Sequence, residues 1–139
     1  MSLLDVVEYT PLISTYAIRI ISPFYKRELW DEPLVDSPNY IYVSKYYFDD
    51  VEPFFVGTKD VMIDEEIARR VILDFKEHSK NVESLLVHCS QGKNRSPAVA
   101  IALNEIFDLG HNTENLMEKY SELNRYVYNM LRETAKKIL

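Results

Sequence analysis

The stretch SLLVHCSQGKNRSPAV, residues 84–99, joins two different sequence patterns through a short polar loop. Its first five residues, 84–88, are mostly apolar, and such a run is typical of a strand at the centre of a parallel sheet. Residues 97–109 are apolar on most sides and predict a helix, after which Gly110 suits the C′ position. The only cysteine of the chain, Cys89, opens the loop between strand and helix. This order predicts one unit of an α/β fold.

Strand-like and helix-like patterns also alternate along the rest of the chain. Two more segments predict strands: residues 16–21 and part of residues 40–48. Three more segments predict helices: Asp64 to about His78, a helix from near Thr113, and about Asn124 to Ile138. These expectations rest on the spacing of apolar residues and, at Asp64, on a suitable N-cap. The order predicts one domain over residues 1–139, with a central, mostly parallel sheet flanked by helices.

A long loop, residues 22–39, separates the first two predicted strands and contains Trp30. Loops of this length in compact domains usually have a function or carry a short helix of their own. We expect Trp30 to cover an edge of the core rather than to contact a ligand.

The composition restricts the classes of protein to which the chain can belong. A hydrophobic fraction of 47% predicts a folded core rather than a disordered chain. The net charge of -6 disfavours a surface for nucleic acid, because phosphate backbones bind clustered Lys and Arg. The few basic pairs are interpreted as parts of solvated faces: Lys26–Arg27, Arg69–Arg70 and Lys136–Lys137.

The cysteine content and the apolar runs indicate a compartment. A single cysteine excludes an internal disulfide framework and suits a reducing environment. Residues 1–10 are acidic rather than basic, and no apolar run approaches the length of a membrane span. We therefore expect a cytoplasmic protein without a signal peptide or a membrane span. One cysteine and three histidines also make a poor ligand set for a metal.

The loop that begins at Cys89 is suited to hold a phosphate or a similar oxyanion. Backbone N–H groups at a helix N-terminus are unpaired and attract anions. Gly92 permits a strained turn that directs successive amides inward, and Arg95 can bind two oxygens of a tetrahedral anion. Cys89 would lie at the base of this loop, where these groups can stabilise its thiolate. Ser96 is well placed to donate a hydrogen bond to that thiolate.

Residues 88–96 read His-Cys-x-x-Gly-x-x-Arg-Ser, which resembles the signature of the cysteine-dependent protein tyrosine and dual-specificity phosphatases. The local resemblance covers residues 84–109, and the order of elements extends it to about residues 14–138, closest to small dual-specificity-like enzymes. It implies a three-layer phosphatase-like fold and a phosphocysteine intermediate on Cys89. Arg95 and the loop amides would bind the equatorial phosphate oxygens, and no cofactor or metal would be required.

The resemblance also assigns roles to the other residues of the loop. The residues expected to bind the substrate phosphate are Ser90, Gln91, Gly92, Lys93, Asn94 and Arg95. Lys93 could favour substrates with several phosphates, although a solvated lysine is the simpler interpretation. We expect His88 to organise the loop rather than to act as a base, because a thiolate that is already deprotonated needs none.

The implied mechanism needs a general acid, which the family places in a loop after an earlier strand. Here Asp49 and Asp50 end the second predicted strand. The family's aromatic-x-Asp pattern fits Asp50 best. Asp49 is the first alternative, and Asp60 or Asp64 are the others. Paired acids at a strand end are also common as simple turn residues.

Several functions remain open at this point. The most direct interpretation is a protein tyrosine or dual-specificity phosphatase whose partner is a phosphorylated protein or a small phosphomonoester. Alternatives are a phosphatase of phosphoinositides or other small molecules and a catalytically idle phosphate-binding pseudophosphatase. A rhodanese-type sulfurtransferase also uses a cysteine in such a loop, but the positions of Gly92, Arg95 and Ser96 favour the phosphatase. The sequence leaves the substrate and the oligomeric state open.

Overall fold

The structure is a computed structural model, and it describes residues 1–23, 32–51 and 60–139. The described part contains three strands: β1 (Thr15–Ile21), β2 (Tyr40–Tyr47) and β3 (Ser84–His88). It also contains five helices: α1 (Leu3–Val6), α2 (Glu65–His78), α3 (Arg95–Phe107), α4 (Thr113–Lys119) and α5 (Arg125–Ile138). The predicted α/β class is therefore confirmed.

The three described strands form a parallel sheet in the order β2-β1-β3. Every residue of β1 is buried, which identifies β1 as the central strand. The prediction that residues 84–88 lie at the centre was wrong, because β3 is an edge strand among the described residues. An apolar run indicates that the faces of a strand are covered, but it carries no information about the strand's neighbours.

The predicted helices are present at the expected places. Asp64 caps α2, since its carboxylate accepts a hydrogen bond from the backbone nitrogen of Ile67 at 2.8 Å. Asn124 caps α5 through the backbone nitrogen of Val127 at 3.1 Å. Both α2 and α5 bury one apolar side against the sheet or against another helix. The buried apolar residues of α2 and α5 are Ala68, Val71, Ile72, Phe75, Val127, Tyr128, Leu131 and Ala135.

The helix after the polar loop differs at both ends from the prediction. It begins at Arg95, two residues before the predicted start, so that Arg95 and Ser96 lie in its first turn. It ends at Phe107, two residues before the predicted end, and its C-cap Asp108 takes the left-handed conformation with φ of 51°, while Gly110 also has a positive φ of 94°. Asp tolerates this conformation better than most residues, because its short side chain can bond locally.

Some sequence predictions concern surface residues or undescribed ones. Trp30 and the pair Lys26–Arg27 lie outside the described residues. Arg70 lies over the ring of Tyr46, and Lys137 lies 3.4 Å from Glu65, as expected of side chains on solvated faces. No helix in the described ranges is long and apolar enough to cross a membrane.

Candidate functional site

The loop between β3 and α3 surrounds the sulfur of Cys89 with hydrogen-bonding groups. The backbone nitrogen of Gly92 donates to Cys89 Sγ at 3.3 Å. The thiol of Cys89 donates to the hydroxyl oxygen of Ser96 at 3.3 Å, and this hydroxyl becomes the donor when the sulfur is a thiolate. Gly92 has φ of 74°, a conformation that turns the chain back toward the sulfur and that favours glycine. The side chain of Cys89 is buried, so few water molecules can compete with these donors.

The pKa of Cys89 is lowered from the ordinary value of a thiol. Burial alone would raise this pKa, because it penalises the charged form. Hydrogen bonds from the side chain and backbone of Ser96, the charge of Arg95 and the amide of Gly92 outweigh that effect. The loop therefore favours the thiolate, which is the nucleophilic form of cysteine.

Arg95 is buried, and contacts from several segments fix its guanidinium group. Its Nη1 atom donates to the hydroxyl of Ser22 at 2.8 Å and to the carbonyl of Phe48 at 2.7 Å. Its Nη2 atom donates to Ser90 Oγ at 3.0 Å. The Nε atom is buried and has no hydrogen-bond partner among the described residues. A buried, unpaired donor on a charged group is costly, and an anion in the loop would provide the missing acceptor.

A cavity of about 250 Å³ opens over the sulfur. Its lining residues are Ser22, Asp50, Cys89, Ser90, Gln91, Asn94 and Arg95. The cavity thus brings the cysteine, the arginine and one candidate acid of the sequence analysis together. Lys93 is exposed and does not line this cavity.

The two adjacent acids at the end of β2 have different surroundings. Asp50 lines the cavity above Cys89. Asp49 is buried, and its carboxylate accepts a hydrogen bond from the backbone nitrogen of Val61 at 2.7 Å. The backbone nitrogen of Asp49 also donates to the carbonyl of Val61 at 2.7 Å, so Asp49 connects two segments of the chain. Asp64 caps α2 and does not line the cavity.

Asn124 contacts the candidate acid, a contact that the sequence analysis did not identify. Its Nδ2 atom donates to Asp50 Oδ1 at 2.8 Å and to the carbonyl of Val51 at 3.2 Å. Its backbone nitrogen donates to the carbonyl of Asn94 at 3.0 Å. Asn124 therefore links the start of α5 to the acid through its buried side chain and to the loop through its backbone. The sequence indicated only a helix start near residue 124.

His88 lies behind the loop and contacts a buried arginine of β1. Its Nε2 atom accepts a hydrogen bond from Arg19 Nε at 2.9 Å, and Arg19 also donates to the carbonyl of Glu32 at 2.5 Å. Burial, together with the charge of Arg19, lowers the pKa of His88 to about 3. The imidazole is thus neutral near pH 7 and serves as an acceptor for Arg19, which agrees with a role in organising the loop.

The first residues of the chain support the loop from behind. The backbone nitrogen of Cys89 donates to the carbonyl of Met1 at 3.2 Å, and that of Leu3 donates to the carbonyl of Ser90 at 3.1 Å. A Cβ atom on Gly92 would lie 2.7 Å from the carbonyl carbon of Met1. The close approach of these two backbones is a second reason for glycine at this position. No group of three or more metal-binding side chains occurs in the described ranges.

Comparison with known proteins gives matches among solved structures only. No family profile and no curated protein matches the chain. The crystal structure of PTPMT1 has a TM-score of 0.50 and 14% identity, with 91% of this chain and 78% of that chain covered. The structure of Tk-PTP in the active form has a TM-score of 0.48 and 15% identity, with 94% and 84% covered.

A third similar structure is that of the human tyrosine phosphatase-like serine/threonine/tyrosine-interacting protein. It has a TM-score of 0.41 and 18% identity, with 89% of this chain and 76% of that chain covered. At these identities the similarity concerns the fold, and the match to PTPMT1 extends over most of the chain. The chain therefore has the α/β fold of the tyrosine and dual-specificity phosphatases.

Proposed function

We propose that this chain is a cysteine-dependent phosphatase, with one catalytic domain over residues 1–139, that hydrolyses phosphomonoesters on proteins. The substrate class is phosphotyrosine, alone or with phosphoserine and phosphothreonine, and the compartment is the cytoplasm, where thiols stay reduced. One observation supports the proposal most: a single cavity is lined by Cys89, Arg95 and Asp50. A nucleophile, an anion-binding group and a proton donor are the groups that such a displacement needs.

In the first chemical step the sulfur of Cys89 attacks phosphorus. An S–P bond forms while the P–O bond to the leaving group breaks, and Asp50 gives its proton to the leaving oxygen. Arg95 and the amides of the loop bind the three equatorial oxygens, on which charge accumulates. The orphaned Nε of Arg95 is a natural donor to one of these oxygens. The other loop residues proposed to bind the phosphate are Ser90, Gln91, Gly92 and Asn94, together with Lys93, which would contribute its backbone amide because its side chain lies outside the cavity.

In the second step a water molecule attacks the phosphocysteine. Asp50, now a carboxylate, takes a proton from this water, and the S–P bond breaks to release inorganic phosphate. Ser96 donates to the sulfur as it leaves, which stabilises the returning thiolate. His88 is a positioning residue that holds the strand end through Arg19. Every proton and bond is accounted for by the substrate, water and these side chains.

The nucleophile is tested with para-nitrophenyl phosphate in the presence of a metal chelator. We expect turnover by the wild-type protein and its inhibition by vanadate, which mimics the five-coordinate phosphorus of the transition state. The variant Cys89→Ser should be inactive because the serine hydroxyl is not ionised near pH 7. If Cys89→Ser retained wild-type turnover, the assignment of the nucleophile would be wrong.

The general acid is tested with a pair of matched variants, Asp50→Asn and Asp49→Asn. Asp50→Asn should slow phosphocysteine formation by about 10²–10⁴-fold on an alkyl phosphate, and much less on a substrate with a good leaving group. Asp49→Asn should lower the stability of the fold and leave the ratio of the rates on the two substrates nearly unchanged. The reason is that the Asp49 carboxylate accepts a hydrogen bond from the backbone nitrogen of Val61. If Asp49→Asn instead slowed the alkyl phosphate far more than the substrate with a good leaving group, the acid would be reassigned to Asp49. The readout is single-turnover quench kinetics on both substrates.

The substrate class is tested with a panel of phosphomonoesters compared by kcat/KM. The panel contains phosphotyrosine, phosphoserine and phosphothreonine peptides, phosphoinositides and nucleotide 5′-phosphates. We expect the highest kcat/KM for phosphotyrosine peptides. A preference for phosphoinositides would replace the protein substrate by a lipid while leaving the chemistry on Cys89 unchanged.

A further inference from the structure

The outer edge of β3 carries backbone groups without a partner in the described part of the chain. The backbone nitrogen of Ser84 donates to the carbonyl of Ser14 at 3.0 Å, so Ser84 directs its backbone groups toward β1. Directions alternate along a strand, and Leu85 and Val87 therefore direct theirs away from β1. Outside the ladder with β1, no backbone hydrogen bond from another described segment reaches the N–H or C=O of Leu85 or the N–H of Val87. Open edges of this kind are templates for another strand.

Met1 already begins a parallel strand along this edge. Its nitrogen donates to the carbonyl of Val87 at 2.9 Å, and its carbonyl accepts from the nitrogen of Cys89 at 3.2 Å. These two bonds are the pattern of a parallel bridge in which Met1 lies opposite His88. This pattern fixes both the direction and the register of any strand that continues the pairing along the rest of β3. The residues of such a strand would lie opposite Leu85, Leu86 and Val87.

An apolar groove of about 890 Å³ runs along the same edge. The side chains of Leu85 and Val87 belong to the helix-facing side of the sheet and pack with the core. Beyond them the floor of the groove consists of half-buried apolar residues from α3, α4 and the C-cap of α4: Ala100, Phe107, Leu116 and Tyr120. α4 has no fully buried residue, which leaves its apolar side incompletely covered. A strand on the edge would cover this floor with every second side chain.

We propose that the groove binds an extended segment of a partner protein, which adds to the sheet as a strand parallel to β3. Apolar side chains opposite Leu85 and Val87 would contact the helical floor, and the residue opposite Leu86 would make the two ladder bonds to Leu85 and Val87. The segment ends or turns away before Met1, which holds the next position of the same register. Backbone pairing provides affinity in this mode, and the alternate side chains provide specificity.

A second copy of this chain fits the edge less well. Two identical strand edges related by a two-fold axis pair in antiparallel orientation. The parallel bridge made by Met1 at the end of β3 occupies part of the edge that such a pair would share. Among the described residues, the only groups left for such a pair are then the N–H and C=O of Leu85 and the N–H of Val87. This geometry favours a partner segment that runs parallel to β3.

The test uses a capped hexapeptide of alternating isoleucine and threonine as the probe. Amide NMR spectra of the full chain should show shifts at Leu85 and Val87, with slower hydrogen exchange at both. A peptide methylated on its threonine nitrogens loses the ladder donors and should bind about tenfold more weakly. The matched control is methylated on its isoleucine nitrogens, which face away from β3, and should bind like the unmodified peptide. Equal binding of the two methylated peptides would overturn the proposal.

The predicted register has a second, independent test. The hexapeptide fused directly before Met1, with isoleucine last, should occupy the groove and raise Tm. One residue inserted at the junction reverses which side chains face the helices, and this fusion should not raise Tm. An equal rise for both fusions contradicts the register.

The floor of the groove is tested with Leu116→Glu and its neighbour Asn115→Glu. Both substitutions add the same charge to α4, but Asn115 is exposed and lies outside the groove. Peptide affinity should fall about tenfold or more in Leu116→Glu and stay unchanged in Asn115→Glu. Three results would overturn the proposal: no shift at Leu85 and Val87, amides of these residues already protected in the free monomer, or protection that requires dimerisation.

Discussion

The charge on Cys89 depends on a small number of donors in a buried place. Burial acts against a thiolate, whereas Ser96, Gly92 and Arg95 act for it. Ser96 provides both its hydroxyl and its backbone N–H, which makes it the largest favourable contributor. The hydroxyl can be removed by mutation while the backbone donors stay. The contribution of one hydrogen bond to the thiolate can therefore be measured by itself.

Ser96→Ala should raise the pKa of Cys89 and leave the fold intact. A hydrogen bond to a charged group contributes about 1.5–3 kcal/mol, and its loss destabilises the thiolate relative to the thiol. The rate of alkylation of Cys89 by iodoacetamide follows the thiolate fraction, so its midpoint should move to higher pH. Ser121→Ala, at an exposed position, serves as the control. An unchanged midpoint in Ser96→Ala would show that the backbone amides alone hold the charge.

Individual residues of the site differ in how far the sequence predicts them. The positions of Cys89 and Arg95 follow from the motif, because fixed offsets in one loop determine which side chains converge. Asp49 and Asp50 are chemically identical neighbours, and only the path of the chain turns one toward the cavity and the other toward Val61. The contact of Asn124 with Asp50 spans 74 residues and leaves no local pattern in the sequence.

At the level of elements, the sequence predicts which strands and helices exist better than it predicts how they are arranged. The bounds of β3 agree with the prediction, since a short apolar run between polar turns defines a strand locally. Its position at the edge of the sheet that the described strands form depends on which strands pair, a long-range property. Helix α1 was not predicted, because four residues are too few for a periodic pattern. Helix α3 ends before the predicted residue because Asp108 is left-handed two residues ahead of Gly110, which also has a positive φ.

The start of α5 both caps a helix and holds the candidate acid, and two substitutions of Asn124 separate these roles. Asn124→Ala removes the cap and the bond to Asp50, so unfolding free energy should fall by about 1 kcal/mol and the rate on alkyl phosphates should fall. Asn124→Ser keeps a good cap, but the shorter side chain loses the Nδ2 donor to Asp50, so mainly the rate should fall. Urea unfolding and leaving-group ratios measure the two effects. Wild-type rates in Asn124→Ser would limit Asn124 to capping.

At the scale of the whole molecule, the central strand of the sheet carries a buried positive charge, which needs a hydrogen-bond acceptor. Arg19 of β1 is 2% exposed, and His88 of β3 is 1% exposed. The hydrogen bond between Arg19 and His88 joins the adjacent strands β1 and β3 at residues that lie opposite each other in the sheet. A neutral imidazole can accept this bond, whereas a protonated one would place a second positive charge beside Arg19. The pair thus makes folding of the sheet sensitive to acid.

The acid sensitivity should depend on His88 in a direction that its pKa determines. In the folded protein this pKa is about 3, below the ordinary value of 6.5, so the unfolded state binds the proton first as pH falls. The stability that depends on neutral His88 is complete above about pH 6.5 and is lost as pH falls toward 3. One proton gives a slope of up to about 1.4 kcal/mol per pH unit.

His88→Asn should remove this slope, because an asparagine oxygen can accept from Arg19 without titrating. Urea unfolding of both proteins at several pH values between 7 and 4 measures the difference in unfolding free energy. Other carboxylates and histidines titrate alike in the two proteins, so the difference isolates His88. We expect the wild-type curve to fall below pH 6.5 more steeply than that of the variant. Parallel curves would mean that folding leaves the pKa of His88 unchanged, and the hydrogen bond to Arg19 would then not depend on a neutral imidazole.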